Sequence, residues 1–246
     1  MLLEGPHNIA AVLLEFITGA NGWLKPHRVW TEGVRALCDK YGIMLIADEV
    51  MTGFGRSGKM FGFQHYDGVL PDMVTFAKGV SGAFVPMSGV ALRQPLYEHF
   101  YDHPSGIGNT YFAHPVACAA AYATIKYTLE KDIVGHVKSV EPVMKEEMTK
   151  FLAKHKSAKN GRVHGLGAGI DLGDKHGNFL CDMHAPSAGI GLLKKHTREL
   201  GLTTLYRGHI MHCCPPLIIT PDQIRDGFEI LDKSFDHLDK WIEEQP

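Results

Sequence analysis

The 246-residue sequence lacks any apolar run long enough to span a bilayer, so a membrane-embedded protein is not expected. It also lacks an excess of one charge. Lys and Arg number 25 against 27 Asp and Glu, a formal net charge of −2, which offers no general grip on nucleic acid or an acidic lipid surface. Cysteine is scarce and odd in number, five in all, with no C-x-x-C pair. Such usage excludes a disulfide framework and reads as the reduced thiols of an intracellular protein, with cytoplasm and mitochondrial matrix both open. The first residues show neither a basic-then-apolar signal peptide nor an Arg-rich transit pattern, and the chain is in a buried-looking strand within nine residues of Met1. No G-x-S-x-G elbow and no Ser/His/Asp order appear, so acyl-transfer chemistry is not expected. Internal repeats and low-complexity linkers are absent as well.

What the sequence does contain is patterned. Short, near-continuous apolar runs at 9–17, 43–48, 72–77 and 89–92 read as strands covered on both faces. Between the first two, Trp30, Val34, Leu37 and Tyr41 recur at helical spacing, which predicts one apolar helix face over 27–41. Strand, helix, strand at this spacing is a βαβ unit and places the first half in the α/β class with a mostly parallel sheet. From Pro115 an alanine-rich helix to about 131 is expected, then a charged helix over much of 134–155. A glycine-rich strand at 163–172, a helix near 187–200 and strands at 202–206 and 210–214 follow. Thr220-Pro221-Asp222-Gln223 is a capping box that opens a helix whose apolar residues run from Ile224 to Ile242. These readings divide the chain into two lobes, 1–130 and 131–246.

The stretch 52-TGFGRSGKMFG-62 fits two phosphate-loop patterns at once, G-x-G-x-x-G and G-x-x-x-x-G-K. Both fail on context. Four residues separate the end of the preceding strand near Asp48 from Gly53, no helix opens after Gly58, and residue 60 is Met where a Mg²⁺-ligating hydroxyl is needed. The better signal lies on either side. Asp48 and Glu49 stand at the carboxyl end of a buried strand, where α/β proteins place ligands, and Lys78 stands just past another such end. An amine there is either a nucleophile capable of forming a Schiff base or a lysine reaching solvent; Asp48 is either a ligand-facing carboxylate or a loop cap.

Taken together, 44-MLIADEVMTGFGRSGKMFGFQHYDGVLPDMVTFAKG-79 resembles the class III aminotransferases, fold-type I enzymes that use pyridoxal phosphate (PLP). DEV, TGFGR-x-GK, PD and AKG occur in the family's order and at family-like spacing. The segment 109-NTYFAHPVACAAA-121 is similar to the family's Thr-containing turn and helix, and 215-PPLIIT-220 to its C-terminal lobe. The resemblance implies a partial large PLP-binding domain over 1–130 and a small α+β domain over 131–246. It makes the glycine loop a turn beside the cofactor pocket. It implies Lys78 as the residue that holds PLP as an internal aldimine and then moves the proton, Asp48 as the partner of the pyridinium nitrogen, and Val50 as packing on a ring face. Thr110 would reach the cofactor phosphate of the partner subunit, which implies a homodimer. Glu15 matches a family glutamate near the pocket, and Arg207 is the candidate for the mobile arginine that grips a substrate carboxylate. The expected reaction moves an amino group from an amine or ω-amino acid to a 2-oxo acid, most like ω-amino acid or taurine-type members.

Two positions depart from that pattern. Phe16 stands where the family commonly has Pro, which implies an altered exit from the first strand. Met51 stands near the cofactor's phenolic oxygen, where a thioether hardly replaces a hydrogen-bonding residue. The resemblance also covers only the later part of the family's length, and the turn that cups the cofactor phosphate and the aromatic residue stacked on the ring belong to the earlier part. The alternative is therefore a non-catalytic aminotransferase-derived fragment or scaffold. No metal site is expected: His209 and His212 fall on opposite faces of a strand, and no other pair has zinc-like spacing.

Overall fold

The computed structural model describes residues 1–180 and 187–245. The chain forms two compact units, one of Met1–Ile17, Lys25–Gly55 and Lys59–Val134, the other of Thr18–Leu24, Arg56–Gly58 and Gly135–Pro246.

The first unit is built on a four-stranded sheet in the order β1 (Ala11–Leu14), β2 (Met44–Asp48), β3 (Met73–Phe76), β4 (Gly89–Leu92). The first three strands are parallel, with Leu14 opposite Ala47 and Asp48 opposite Thr75, and β4 runs antiparallel to β3. Helix α1 (Arg28–Tyr41) links β1 to β2. Its start is capped by His27, whose ring accepts from the Val29 N–H, and Gly42 ends it in the left-handed region at φ 65°. The helix face that meets the sheet is not the expected one. Thr31 and Cys38 are buried, with Val34 and Tyr41 packed on the core, whereas Trp30 and Leu37 are 52% and 41% exposed. The buried stripe is 31, 34, 38, 41, one position round from the larger residues. Phe16, Ile43, Leu45, Ala47, Tyr66 and Val69 complete this core, and the Tyr66 hydroxyl donates to the Phe16 and Pro26 carbonyls at 3.2 and 2.7 Å. Phe16 thus occupies the core in its own right.

Helix α2 (Gln94–Asp102), which no sequence signal announced, precedes α3 (Pro115–Glu130). Ala121 of α3 packs against Phe54 and Val80, but Val116, Tyr122, Tyr127 and Leu129 of the same helix are exposed.

The second unit opens with the bulk of α4 (Ile133–Lys154) and carries an antiparallel sheet in the order β5, β6, β8, β7. The expected single strand over 163–172 is a hairpin of β5 (Ala158–His164) and β6 (Gly167–Leu172), turned at Gly165 with φ 59°. Strand β6 is buried along its whole length. Helix α5 (Ala188–Glu199) follows, then β7 (Leu205–Arg207) and β8 (Ile210–Cys213). Helix α6 (Pro221–Glu243) has the reciprocal Thr220–Gln223 cap, and Ile224, Phe228, Leu231, Phe235, Leu238 and Ile242 are all buried. Among the described residues, Cys38, Cys118, Cys213 and Cys214 are free thiols; Cys181 lies outside them. No helix of the described residues is long and apolar enough to cross a membrane.

Candidate active site

Parallel pairing brings the carboxyl ends of β1, β2 and β3 side by side, and the residues singled out in the first half cluster on that edge. Glu15 follows β1, Asp48 ends β2, Val50 and Met51 continue from it, and Lys78 follows β3. The register sets Asp48 beside Thr75, three residues before Lys78. Asp48 is half-buried. Its Oδ1 accepts the Val50 N–H at 3.0 Å, and Oδ2 has no hydrogen-bond partner among the described residues.

The backbone leaves β3 abruptly. Lys78 opens a 3-10 turn over Lys78–Ser81 with its own φ at 44°, in the left-handed region, which costs a non-glycine residue about 1 kcal/mol or more. The turn is held from behind by Val80, which is buried against Phe54 and Ala121. The turn carries the side chain outward: Lys78 is exposed and has no ion pair among the described residues. An amine on a strained, well-supported turn is thus presented beside a carboxylate with spare acceptor capacity.

Glu49 has a different task from its neighbour. It is fully buried, and its carboxylate accepts from the Thr52 hydroxyl at 2.5 Å and from the Gly62 and Phe63 N–H groups at 2.7 and 2.8 Å. Burial pushes its carboxyl above the ordinary range, although these three donors work against that shift. This anchor explains the glycine loop. The loop folds back on the end of β2, so a Cβ at Gly53 would lie 2.8 Å from the Glu49 carbonyl oxygen and one at Gly62 3.1 Å from the Thr52 side chain. The glycines serve that close approach. Asp72 anchors the start of β3 in a similar way. Burial opposes its charge, but the Leu45 N–H and the Arg35 guanidinium hold it below the usual carboxylate range.

Thr110 lies in a turn closed by the Phe112 N–H to the Asn109 carbonyl, at 3.0 Å, just before α3. It is exposed and has no hydrogen-bond partner among the described residues. Around it, Tyr97, Tyr101, Ile107, Tyr111 and Phe112 are exposed as well.

Arg207 belongs to the second unit, where it ends β7, exposed and without a partner among the described residues. The pairings Leu205 with His212 and Arg207 with Ile210 place His212 and Arg207 on one face of that sheet, as diagonal neighbours. His212 is buried and neither ring nitrogen has a partner among the described residues. Burial first, then the charges of Arg207 and Arg162, hold it below its ordinary value, so it is neutral. Arg162 itself is spoken for by Asp171, through a bond of 2.7 Å from Nη1 to Oδ2. Sequence reasoning weighed His212 only as a metal ligand; its neighbourhood with Arg207 needs the strand register, which spacing alone does not supply.

A family model described as aminotransferase class-III matches residues 2–235. The 5-aminovalerate aminotransferase DavT of Pseudomonas aeruginosa is 36% identical over 237 residues, which is 95% of this chain and 54% of that protein. The 4-aminobutyrate aminotransferase GabT of Escherichia coli is 34% identical over 237 residues, covering 94% of this chain and 53% of the relative. Among solved structures, a taurine:2-oxoglutarate aminotransferase from Bifidobacterium kashiwanohense, in complex with PLP and glutamate, superposes with a TM-score of 0.93 at 41% identity. That match covers 98% of this chain and 54% of the other. The chain therefore spans about half the length of the relatives it matches.

Proposed function

The chain belongs to the class-III aminotransferase family, and from that premise we propose that it carries the lysine-bearing part of a PLP-dependent transaminase. The reaction proposed is transfer of an amino group from an amine or ω-amino acid to a 2-oxo acid. The observation that carries this reading is the pairing of β2 with β3, which sets Asp48 and the unpaired Lys78 at neighbouring strand ends.

The residues present fit the cofactor. The free Oδ2 of Asp48 is an acceptor for a protonated ring nitrogen, and the exposed Lys78 amine is unengaged. When bound, PLP supplies an aldehyde that condenses with amines and a ring that delocalises the electron pair left on carbon. Lys78 is the amine that would hold it, and its Nζ is the group that would move the proton between the two carbons that exchange the amino group. Asp48 keeps the ring nitrogen protonated through a charge-assisted bond. Val50 would pack on the ring, and Met51 would be an apolar neighbour that offers it no hydrogen bond. Glu15 and Arg207 are assigned to the substrate, Arg207 because a guanidinium matches a carboxylate bidentately.

A homodimer belongs to the same proposal. Thr110 is assigned to the phosphate of the partner's cofactor, and its support is the exposed aromatic surface around that turn, of a kind that marks an interaction site.

The test is a titration of the purified chain with PLP followed by absorbance, beside Lys78→Ala, with borohydride fixation and peptide mapping. A saturable spectral change, lost in the variant and fixed on the peptide bearing Lys78, is the expected result. Absence of any saturable change, even after addition of the part of a relative that this chain does not span, overturns the catalytic reading in favour of a scaffold.

A further inference from the structure

Helix α6 carries a glycine where its inward stripe calls for a large side chain. Ile224, Phe228 and Leu231 are buried on one face, and Gly227 stands on the same face, three residues after the first and four before the last. A glycine inside a helix costs about 1 kcal/mol relative to alanine, so packing or function has to account for it. Here close packing does not: a Cβ built on Gly227 meets no atom within 4 Å. The space it leaves is part of a cavity of about 310 Å³ within the second unit. Met144 of α4, Ile224, Phe228 and Leu231 of α6, Cys213 of β8 and Thr204 just before β7 are among its walls.

The chemistry of these walls is specific. Most of the lining is aliphatic, aromatic or thioether. Burial pushes the Cys213 thiol up to about 12, so no thiolate charge faces the space. The polar side chains among the walls are Thr203, His212, Gln223 and Thr204; His212 and Thr204 both carry buried polar atoms without a partner among the described residues, and the hydroxyl is that of Thr204. Its Oγ1 is buried and lies near the Tyr206 hydroxyl, yet the two do not reach hydrogen-bond geometry and both oxygens stay unsatisfied. A buried hydroxyl without a partner costs about 1–3 kcal/mol, which a ligand that bonds to it recovers. The volume is roughly twice that of an engineered apolar cavity, of about 150 Å³, that admits benzene.

From these features we propose that the second unit holds a binding site for a small, uncharged, bicyclic aromatic molecule with one hydrogen-bonding group, its ring against Met144 and Phe228 and its polar atom on Thr204. None of Glu15, Asp48, Lys78, Thr110 and Arg207 is among the walls of this cavity.

Indole is the probe, because it has the right size and one N–H that Thr204 Oγ1 can accept. Binding is read from the methyl resonance of Met144 in protein labelled with ¹³C at methionine methyls. The expected result is a saturable shift with a midpoint below about 1 mM, equivalent to roughly −4 kcal/mol. Gly227→Leu fills the space while improving helix propensity, and abolishes the shift or weakens binding at least about tenfold. Thr204→Val lowers affinity for indole and leaves that for naphthalene unchanged, a distinction that general damage to the fold does not produce. No saturable shift in the unmodified chain up to the solubility of indole, or equal indole binding by Gly227→Leu, overturns the proposal.

Discussion

The end of α4 offers a perturbation whose size and sign can both be worked out. His155 is 1% exposed and has a carboxylate at each ring nitrogen, Asp239 Oδ2 at 2.8 Å from Nδ1 and Asp232 Oδ1 at 3.0 Å from Nε2. A carboxylate only accepts, so both bonds exist together only when the imidazole carries both protons. The setting favours that cation in other ways. It follows the last residue of α4, where carbonyl oxygens accumulate, and the rings of Phe151 and Phe235 flank it. Asp232, Asp236 and Asp239 line one face of α6, and Lys154 already answers Asp232 and Asp236 at 2.7 and 3.1 Å. Without the His155 charge, three carboxylates face one lysine. Asp239 gains a further donor in the Ser157 N–H at 2.9 Å.

Burial opposes the charge on His155, but its bonds to Asp239 and Asp232 outweigh that and raise it above its ordinary value. The folded state therefore binds the proton more tightly than the unfolded chain. The stabilisation is complete below the unfolded value, near 6.5, and is lost as pH climbs through the raised folded value. At the acid end, burial again opposes charge, yet His155 holds Asp239, and Lys154 with His155 holds Asp232, below the usual carboxylate range. Their share is present above about pH 4 and is lost as pH falls through those depressed values. His155→Gln keeps a polar side chain of similar size and one donor but removes the charge. Two charge-assisted bonds are worth about 1.5–3 kcal/mol each when buried. Asp232 is 38% exposed, so screening brings the expected loss to roughly 2–3 kcal/mol. The assay is amide hydrogen exchange of α6, because it reads the opening of this packing and does not require the chain to unfold in one step. Near pH 5.5 the variant is expected to lose roughly 30- to 150-fold of protection, at 1.4 kcal/mol per tenfold. Comparison at equal pH cancels the intrinsic exchange rate, and the gap narrows as pH climbs from there through the raised folded value and the native histidine also becomes neutral. A gap of constant size across that range would refute the reasoning, since it would mean that His155 is bound without its second proton.

Removal of the Glu49 carboxylate by Glu49→Ala strands the Gly62 and Phe63 N–H groups and the Thr52 hydroxyl in a buried setting, and is expected to destabilise the first unit by about 3 kcal/mol in denaturant titration. Local exchange should rise first across 50–63, and an unchanged loop would show that the carboxylate does not anchor it. Asp48→Asn keeps the acceptor for the Val50 N–H but removes the charge, and is expected to weaken PLP binding by about 10- to 100-fold in absorbance titration with little effect on stability. Equal affinity in that variant would take Asp48 out of the cofactor site.

How much of this was legible in the sequence depended on whether the deciding contact is local. Helix α6 was read correctly because its cap lies within four residues and its stripe repeats without interruption. For α1 the periodicity was right and the face was wrong, because size singled out Trp30 and Leu37 where the sheet accommodates the smaller Thr31 and Cys38. The hairpin of β5 and β6 was hidden inside one glycine-rich run: Gly161, Gly165, Gly167 and Gly169 look alike in sequence, and only Gly165 makes the turn. Gly161 and Gly167 instead lie under α4 and the Trp23 ring.

The same division runs through the site. Asp48 and Glu49 are adjacent acids at a strand end, indistinguishable by type. Alternation of side chains separates them, so that Glu49 turns into the protein to hold the glycine loop and Asp48 remains on the edge beside the turn of Lys78. The loop that imitates a phosphate cradle is explained by the acid that precedes it, since a buried carboxylate already occupies the N–H groups of Gly62 and Phe63. The unit formed by His155 and the acids of α6 spans about eighty residues and has no local pattern beyond the spacing of those acids. Motif order is therefore a guide to chemistry where backbone and motif are contiguous, as from β2 to Lys78. Wherever a charge is satisfied from a distant element, its role has to come from the partner.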